Sequence, residues 1–160
     1  MKRCIKVLSL FLLLSMGFVG CKSTQTIRQA EKTLKGNWKL TNVTYSRPGT
    51  FDVKLYNDAN ASCFENSVWT FVPNNNTGTY QFVNSGCDET LKNIKWTIPV
   101  PEGDAYSFLM KPLTAKKKSI EGNQGFRTGL KTLTETDMAW TQKLSFEGKP
   151  FIITMNFIKN

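Results

Sequence analysis

Chemistry has few carriers in this chain. Its 160 residues include four cysteines, at positions 4, 21, 63 and 87, and no histidine. Without histidine the commonest general base is missing, and so are the Ser-His and Cys-His nucleophile pairs and the commonest ligand of a catalytic zinc. No Cys-x-x-Cys, Gly-x-Ser-x-Gly or phosphate-cradling glycine loop is present. Neighbouring acids do occur: Asp88 with Glu89, Glu102 with Asp104, and Glu135 with Asp137. Two carboxylates can serve glycoside hydrolysis. All three groups fall at predicted turns, however, where acids are usually just solvated. The expectation is therefore no catalytic residue, no metal site and no cofactor, in a protein that is not an enzyme. What remains is the thiols and a large set of aromatic side chains.

Cys21 stands at a junction. Before it, Lys2, Arg3 and Lys6 precede a short apolar run from Val7 to Val19. A membrane-spanning helix needs roughly 20 apolar residues, whereas a basic start followed by about 7 to 15 apolar residues reads as a signal peptide. Phe18-Val19-Gly20-Cys21 resembles the bacterial lipobox, in which the thiol is diacylated and the chain is cut before the cysteine. The rival reading is an ordinary secretory peptide with an incidental cysteine. Residues 1–20 are thus expected to be a lipoprotein signal peptide, and residues 21–35 a lipidated tether ending in a short helical turn around Ile27, Ala30 and Leu34. Each buried acyl CH₂ adds about 0.8 kcal/mol of membrane affinity, so several chains hold firmly. Lys22 follows directly, with no acidic run of the kind that resembles a surface-export signal in Bacteroidetes lipoproteins. The expected location is the bacterial envelope, with a lipid anchor in the outer membrane and the domain facing the periplasm.

Residues 1–20 hold three basic residues and no acid, so their removal lowers the formal charge from +9 to +6. Lys116-Lys117-Lys118 is the one basic cluster. It reads as a solvated loop, the alternative being a contact with anionic headgroups. Nucleic acid is not an expected partner for an exported chain without a basic-aromatic stripe.

The elements that must carry the remaining residues are short and alternating. Candidate strands are 37–45, 51–56, 67–72, 79–84, 93–98, 105–111, 127–134, 138–145 and 150–158, separated by Asn, Gly and Pro clusters. That pattern predicts an all-β, antiparallel protein over residues 36–160. In SVWTFV-PNNNTG-TYQFVN, a turn centred on Asn75 and Asn76 sets Phe71 opposite Tyr80 and Trp69 opposite Phe82. Extended outward, that register brings Cys63 to within one residue of Cys87. An extra residue at Gly86 would join them in a disulfide worth about 3 kcal/mol, the rival being two buried free thiols. A second hairpin sets Ile94, Trp96 and Ile98 against Tyr106, Phe108 and Met110. A third sets Met138, Trp140 and Leu144 against Phe151, Met155 and Phe157. Each has one aromatic- and Met-rich face, and no helix is predicted to cover it. Such a sheet must close on itself, giving an up-and-down barrel of eight to nine strands.

Leu34-Lys35-Gly36-Asn37-Trp38 resembles the Gly-x-Trp signature that opens the first strand of lipocalins and related calycin barrels, where the tryptophan plugs the closed end. With the lipobox, ASCFENSVWTF and the NNNTGTY turn, the chain resembles the lipocalin-like lipoproteins common in Bacteroidetes. The resemblance implies a structural role for Gly36 and Trp38. Two features depart from the family. Many lipocalins pair that tryptophan with a late arginine, whereas the last basic residues here are Lys149 and Lys159, and no helix follows the eighth strand.

An eight-stranded barrel is just wide enough to be filled by side chains or to hold one small ligand. If the aromatic faces point inward, Trp69, Phe71, Tyr80, Phe82, Trp96, Tyr106, Phe108 and Trp140 are the candidate pocket lining, or else simply core. The expected function is a membrane-anchored binder of a small hydrophobic or amphipathic ligand. The alternative is a non-catalytic scaffold or inhibitor lipoprotein that binds other envelope proteins through loops such as 99–104 and 112–126.

Overall fold

The computed structural model describes residues 21–100 and 106–160, with the side chains of 21–24 and 121 left aside. The expected signal peptide and most of the 99–104 loop lie outside the described residues. Helix α1 spans Cys21–Leu34. Strand β1 (Gly36–Tyr45) follows, then a long connection holding β2 (Lys54–Leu55), β3 (Ala59–Asn60) and the single-turn helix α2 (Ala61–Phe64). The remaining strands are β4 (Val68–Val72), β5 (Thr77–Gln81), β6 (Lys92–Thr97), β7 (Ser107–Leu113), β8 (Phe126–Leu133), β9 (Asp137–Phe146) and β10 (Lys149–Lys159). Eight of them close in the order β1-β10-β9-β8-β7-β6-β5-β4, while β2 and β3 pair only with each other. All neighbours in the ring are antiparallel. The architecture is therefore the expected all-β up-and-down barrel, with eight strands.

Period-2 alternation builds the wall. In β10, Phe151, Ile153, Met155 and Phe157 are buried and the residues between them are not. Two bulges preserve this inward set where the pattern changes phase. Between Leu40 and Asn42 the inward positions pass from Trp38 and Leu40 to Val43, and between Leu130 and Thr132 they pass from Thr128 and Leu130 to Leu133. One extra residue on one strand does this without tilting apolar groups into water. The β9–β10 hairpin has the anticipated register, with Met138, Trp140 and Leu144 opposite Phe157, Met155 and Phe151. Its tight turn places both Glu147 and Gly148 at positive φ, as two-residue hairpin loops require.

Three local expectations are corrected. The β4–β5 register is offset by two residues: Trp69 faces Tyr80, and Phe71 faces Gly78. The reason is the turn. Pro73–Asn75 forms a 3-10 turn closed by a left-handed Asn76, so pairing resumes at Thr77, earlier than the Asn-rich stretch suggests. A two-residue offset keeps every side chain on its face, so the aromatic face is retained. Segment 51–56 is not a barrel strand, because left-handed Tyr56 and Asn57 reverse the chain into the small β2–β3 ribbon. Finally, α1 is 14 residues long where a turn or two was expected. Residues 25–34 are rich in good helix formers and lack Gly and Pro until Gly36, whose φ of +111° ends the helix.

Helix α1 lies across one end of the barrel, against β8 and the Pro73–Asn75 turn. That end is plugged by Trp38, fully buried, whose Nε1 donates to Leu34 O at 2.8 Å. Gly36 stands at the junction of α1 and β1, two residues before the buried Trp38. The missing arginine has a substitute in Lys159. Its Nζ sits 5.2 Å from the Trp38 ring centre and donates to Thr33 O at 2.8 Å.

Candidate functional site

The opposite end, the mouth, is covered by the connection between β1 and β4. Phe64 of α2 is fully buried there and packs on Trp69, Tyr80 and Phe82, with centroid separations of 6.3, 5.8 and 4.8 Å. Tyr56 is 4 % exposed, lies against Phe64 and Phe126, and donates its hydroxyl to Met155 Sδ at 3.2 Å. Cys63 and Cys87 form the expected disulfide, with Cα atoms 5.7 Å apart. It pins α2 to the segment after β5. The bond does not arise from an extended β4–β5 ladder, since Cys63 is helical and Cys87 lies beyond the end of β5. The Asn84 amide holds the two segments beside it, donating to Ser62 O at 2.7 Å and Glu65 O at 2.8 Å.

Seven of the eight aromatic residues singled out in the sequence meet inside the barrel. Trp69 stacks on Tyr80 at 4.5 Å, Phe108 stacks on Trp140 at 4.5 Å, and Phe71 touches Trp69, Trp96, Phe108 and Trp140. Phe82 joins them through Phe64 and Tyr80. Tyr106 stands apart. It is only half-buried and lines a cleft beneath α1 with Ala30, Leu130 and Leu133, because the closed end of the barrel there is finished by the helix. The rings and the Met138, Met155 and Phe157 side chains leave the interior closely filled. Among the described residues the buried Trp140 Nε1 has no hydrogen-bond partner, and the buried Thr128 Oγ1 lies beside the Tyr56 hydroxyl.

Space opens at the rim of the mouth. A cleft of about 400 Å³ lies between the Tyr56–Asp58 turn, the start of β6 and the loop after β7. Its apolar side is formed by Leu91, Leu113, Ala115 and Ile120, and its base by Tyr56 and Tyr80. A polar group crosses one wall: the Tyr80 hydroxyl donates to Asp58 Oδ2 at 2.5 Å, and Lys92 Nζ lies 3.4 Å from Asp58 Oδ1 and 2.7 Å from Asp88 Oδ2. Burial, with the Asp58 carboxylate beside it, pushes the Tyr80 hydroxyl far above its ordinary value, and burial does the same to Tyr56. The hydrogen bonds from Lys92 and Thr90 hold the Asp88 carboxyl well below the carboxylate range. Burial works against the Lys92 charge, but Asp88 and Asp58 outweigh it and raise its pKa. At neutral pH the wall therefore presents the Lys92 ammonium, the Asp88 carboxylate and the neutral Tyr80 phenol.

Sequence reasoning reached Tyr80 but missed Tyr56, Asp58, Phe64 and Lys92. Phe64 carried a signal, since its neighbour Cys63 was already predicted to meet the segment after β5. Tyr56 and Asp58 come from a loop whose course no periodicity marks, and Lys92 opens β6, one residue before the predicted strand 93–98. Among the described residues no group of three or more His, Cys, Asp or Glu side chains is arranged to hold a metal ion.

A closed eight-stranded meander, plugged at one end by a tryptophan and covered at the other by the connection after its first strand, defines a calycin-type barrel. The chain belongs to the lipocalin-like domain family, whose model matches residues 34–140. Among solved structures it is similar to a complex of bovine odorant-binding protein with a selenium-containing odorant. Identity is 14 %, the TM-score is 0.41, and the match covers 81 % of this chain and 72 % of the other. The odorant-binding protein from bovine nasal mucosa is similar at 16 % identity and a TM-score of 0.38, covering 80 % of this chain and 72 % of that one. A search of curated proteins found no match.

Proposed function

We propose that this protein is a non-catalytic, membrane-anchored binder of a small amphipathic molecule, and that the ligand seats in the mouth cleft. The observation that carries this reading is the cleft's make-up. At about 400 Å³, with an apolar side and one compact polar group, it has the size and character of small-molecule sites in general. An apolar body would lie along Leu91, Leu113 and Ile120, and a polar end would reach Asp58 and Lys92. A ligand going deeper would have to displace Tyr56 and Phe64, and the disulfide and the Asn84 amide hold the turn that carries Phe64.

The anchor is Cys21, acylated after removal of residues 1–20, in the outer membrane and facing the periplasm. Labelling with a radioactive fatty acid tests it: the parent is expected to carry the label and Cys21→Ser to lack it. A labelled Cys21→Ser variant would overturn the anchor. For binding, residues 22–160 are purified, extracted with organic solvent and examined by mass spectrometry, then titrated with amphiphiles while tryptophan fluorescence is followed. A co-purified species and saturable quenching are expected; neither appearing would overturn the reading.

The filled interior favours a second reading, a scaffold or inhibitor lipoprotein that engages envelope proteins through its loops. Cross-linking in the envelope separates the two. Retention of a protein partner by a variant whose cleft is blocked, with no small molecule recovered, supports the second.

A further inference from the structure

A larger cleft lies elsewhere, on the outer wall of β6, β7 and β8. It has a volume of about 630 Å³ and is lined by Lys95, Leu109, Lys111, Gly125 and Arg127, among others. We infer that this cleft is a second binding site, for the anionic head of an amphiphile, held by Lys95, Lys111 and Arg127 with the apolar part along Leu109.

Charge placement is the first argument. Lys95 and Lys111 are direct cross-strand partners, and Arg127 is the partner of Leu109 on the next strand. Like charges directly opposite each other destabilise a sheet. An acid at one of these positions would relieve the repulsion, yet among the described residues no ion pair joins any of the three to a carboxylate. Among the described residues their hydrogen-bond partners are neutral acceptors. Lys95 Nζ donates to Asn75 O, Lys111 Nζ to Asn123 Oδ1, and Arg127 Nη1 to Ser107 Oγ at 2.7 Å. An ammonium has three donors and a guanidinium five, so each keeps donors for a further acceptor.

Shape is the second. A Cβ on Gly125 would come within 3.2 Å of Met110 O and 3.9 Å of the Lys111 Cβ, so the absence of a side chain there keeps the floor beside Lys111 open. Half-buried Leu109 and the lysine stems give the cleft an apolar lining beneath its charges. A cationic rim over an apolar floor matches a phosphate or carboxylate carried on an alkyl chain. That head can be presented by a free amphiphile or by an anionic lipid within a bilayer.

The site stands apart from the mouth cleft and does not depend on it. The test compares the parent, the double variant Lys95→Gln/Lys111→Gln, and the mouth-blocking Ile120→Trp. Dodecyl phosphate below its micelle concentration serves as the free probe, with dodecyl maltoside as the neutral control. Phosphatidylcholine vesicles with and without phosphatidylglycerol serve as the bilayer probe, by flotation. With the mouth blocked by Ile120→Trp, dodecyl phosphate is expected to bind, and to bind about tenfold or more weakly once Lys95→Gln/Lys111→Gln is added. Flotation only with anionic vesicles, lost in the double variant, assigns the head to a bilayer, whereas binding of the soluble probe without flotation assigns it to a free amphiphile. A structural role is separated by melting. Without ligand the double variant is expected to melt no lower than the parent, because it removes a repulsion. Equal affinity for both probes with and without the two Gln substitutions in the Ile120→Trp background, or a lower melting temperature of the unliganded double variant, would overturn the inference.

Discussion

Replacing both disulfide cysteines, as Cys63→Ala/Cys87→Ala, should lower stability mainly through the unfolded chain. The bridge closes a loop with a sequence separation of 24, around β4 and β5. In the chain-entropy treatment that removes about 3 to 4 kcal/mol of freedom from the denatured ensemble. The native side changes little, because the Asn84 amide still holds Ser62 O and Glu65 O, and Phe64 still packs on Trp69, Tyr80 and Phe82. For a domain of this size each kcal/mol moves the melting temperature by roughly 3 to 5 °C, so a fall of roughly 9 to 20 °C is expected. Urea titration should show the midpoint falling while the slope holds or rises, as an uncrosslinked chain exposes more surface on unfolding. A melting temperature within about 2 °C of the parent would refute the reasoning. It would mean that the loop is already restrained in the unfolded chain, or that the bridge is strained enough to cancel its effect.

Gly78 faces Phe71, and a Cβ there would meet Thr70 O at 2.5 Å and Ile94 Cγ1 at 3.2 Å. Gly78→Ala should therefore cost about 1 to 3 kcal/mol by overpacking, read from urea midpoints. Lys159→Met keeps the stem but removes the charge over Trp38 and the bond to Thr33 O. It should cost about 1 to 2 kcal/mol, with a red-shifted tryptophan emission if the plug loosens. Tyr80 and Lys92 both have folded-state pKa values raised above their ordinary 10.0 and 10.5. Their contribution to stability is thus complete below about pH 10 and lost as pH rises through the folded values. Urea midpoints should hold to about pH 10 and then fall, less steeply in Tyr80→Phe. Phenolate absorbance before alkaline unfolding should be the same in the parent, Tyr56→Phe and Tyr80→Phe, since neither buried hydroxyl ionises in the folded state.

The wall of the barrel was legible because its signal is local. Alternation in FIITMNF, DMAWT and NIKWT marks which residues face inward, and a period of two survives even a two-residue slip of register, as at Trp69 and Tyr80. The disulfide was expected from a β4–β5 register that the structure does not have, and the two cysteines meet instead through a helical turn and a loop. What was not legible is set by contacts distant in sequence. Nothing in FDVKLYNDAN announces that Tyr56 will turn back over the mouth, because the turn rests on left-handed Tyr56 and Asn57, residue types that do not demand it. The filled interior depends on Phe64, donated by a connection that reads as surface. The mouth cleft is assembled from segments far apart in sequence, and the Asp58–Tyr80–Lys92 group joins the β2–β3 turn to β5 and the first residue of β6. Lys159 shows the converse. It looked like the absence of a partner for Trp38, and the closing of β10 against β1 made it that partner.

The most direct measurement is a methyl NMR titration of residues 22–160 with a neutral amphiphile, N-phenyl-1-naphthylamine, which has no anionic head to recruit the outer wall. Saturable shifts at Leu91, Leu113, Ala115 and Ile120, with Met138, Ile153 and Met155 unmoved, are the predicted result. Shifts confined to Met138, Ile153 and Met155, or no saturable shift at the four mouth residues, would contradict a ligand seated at the mouth.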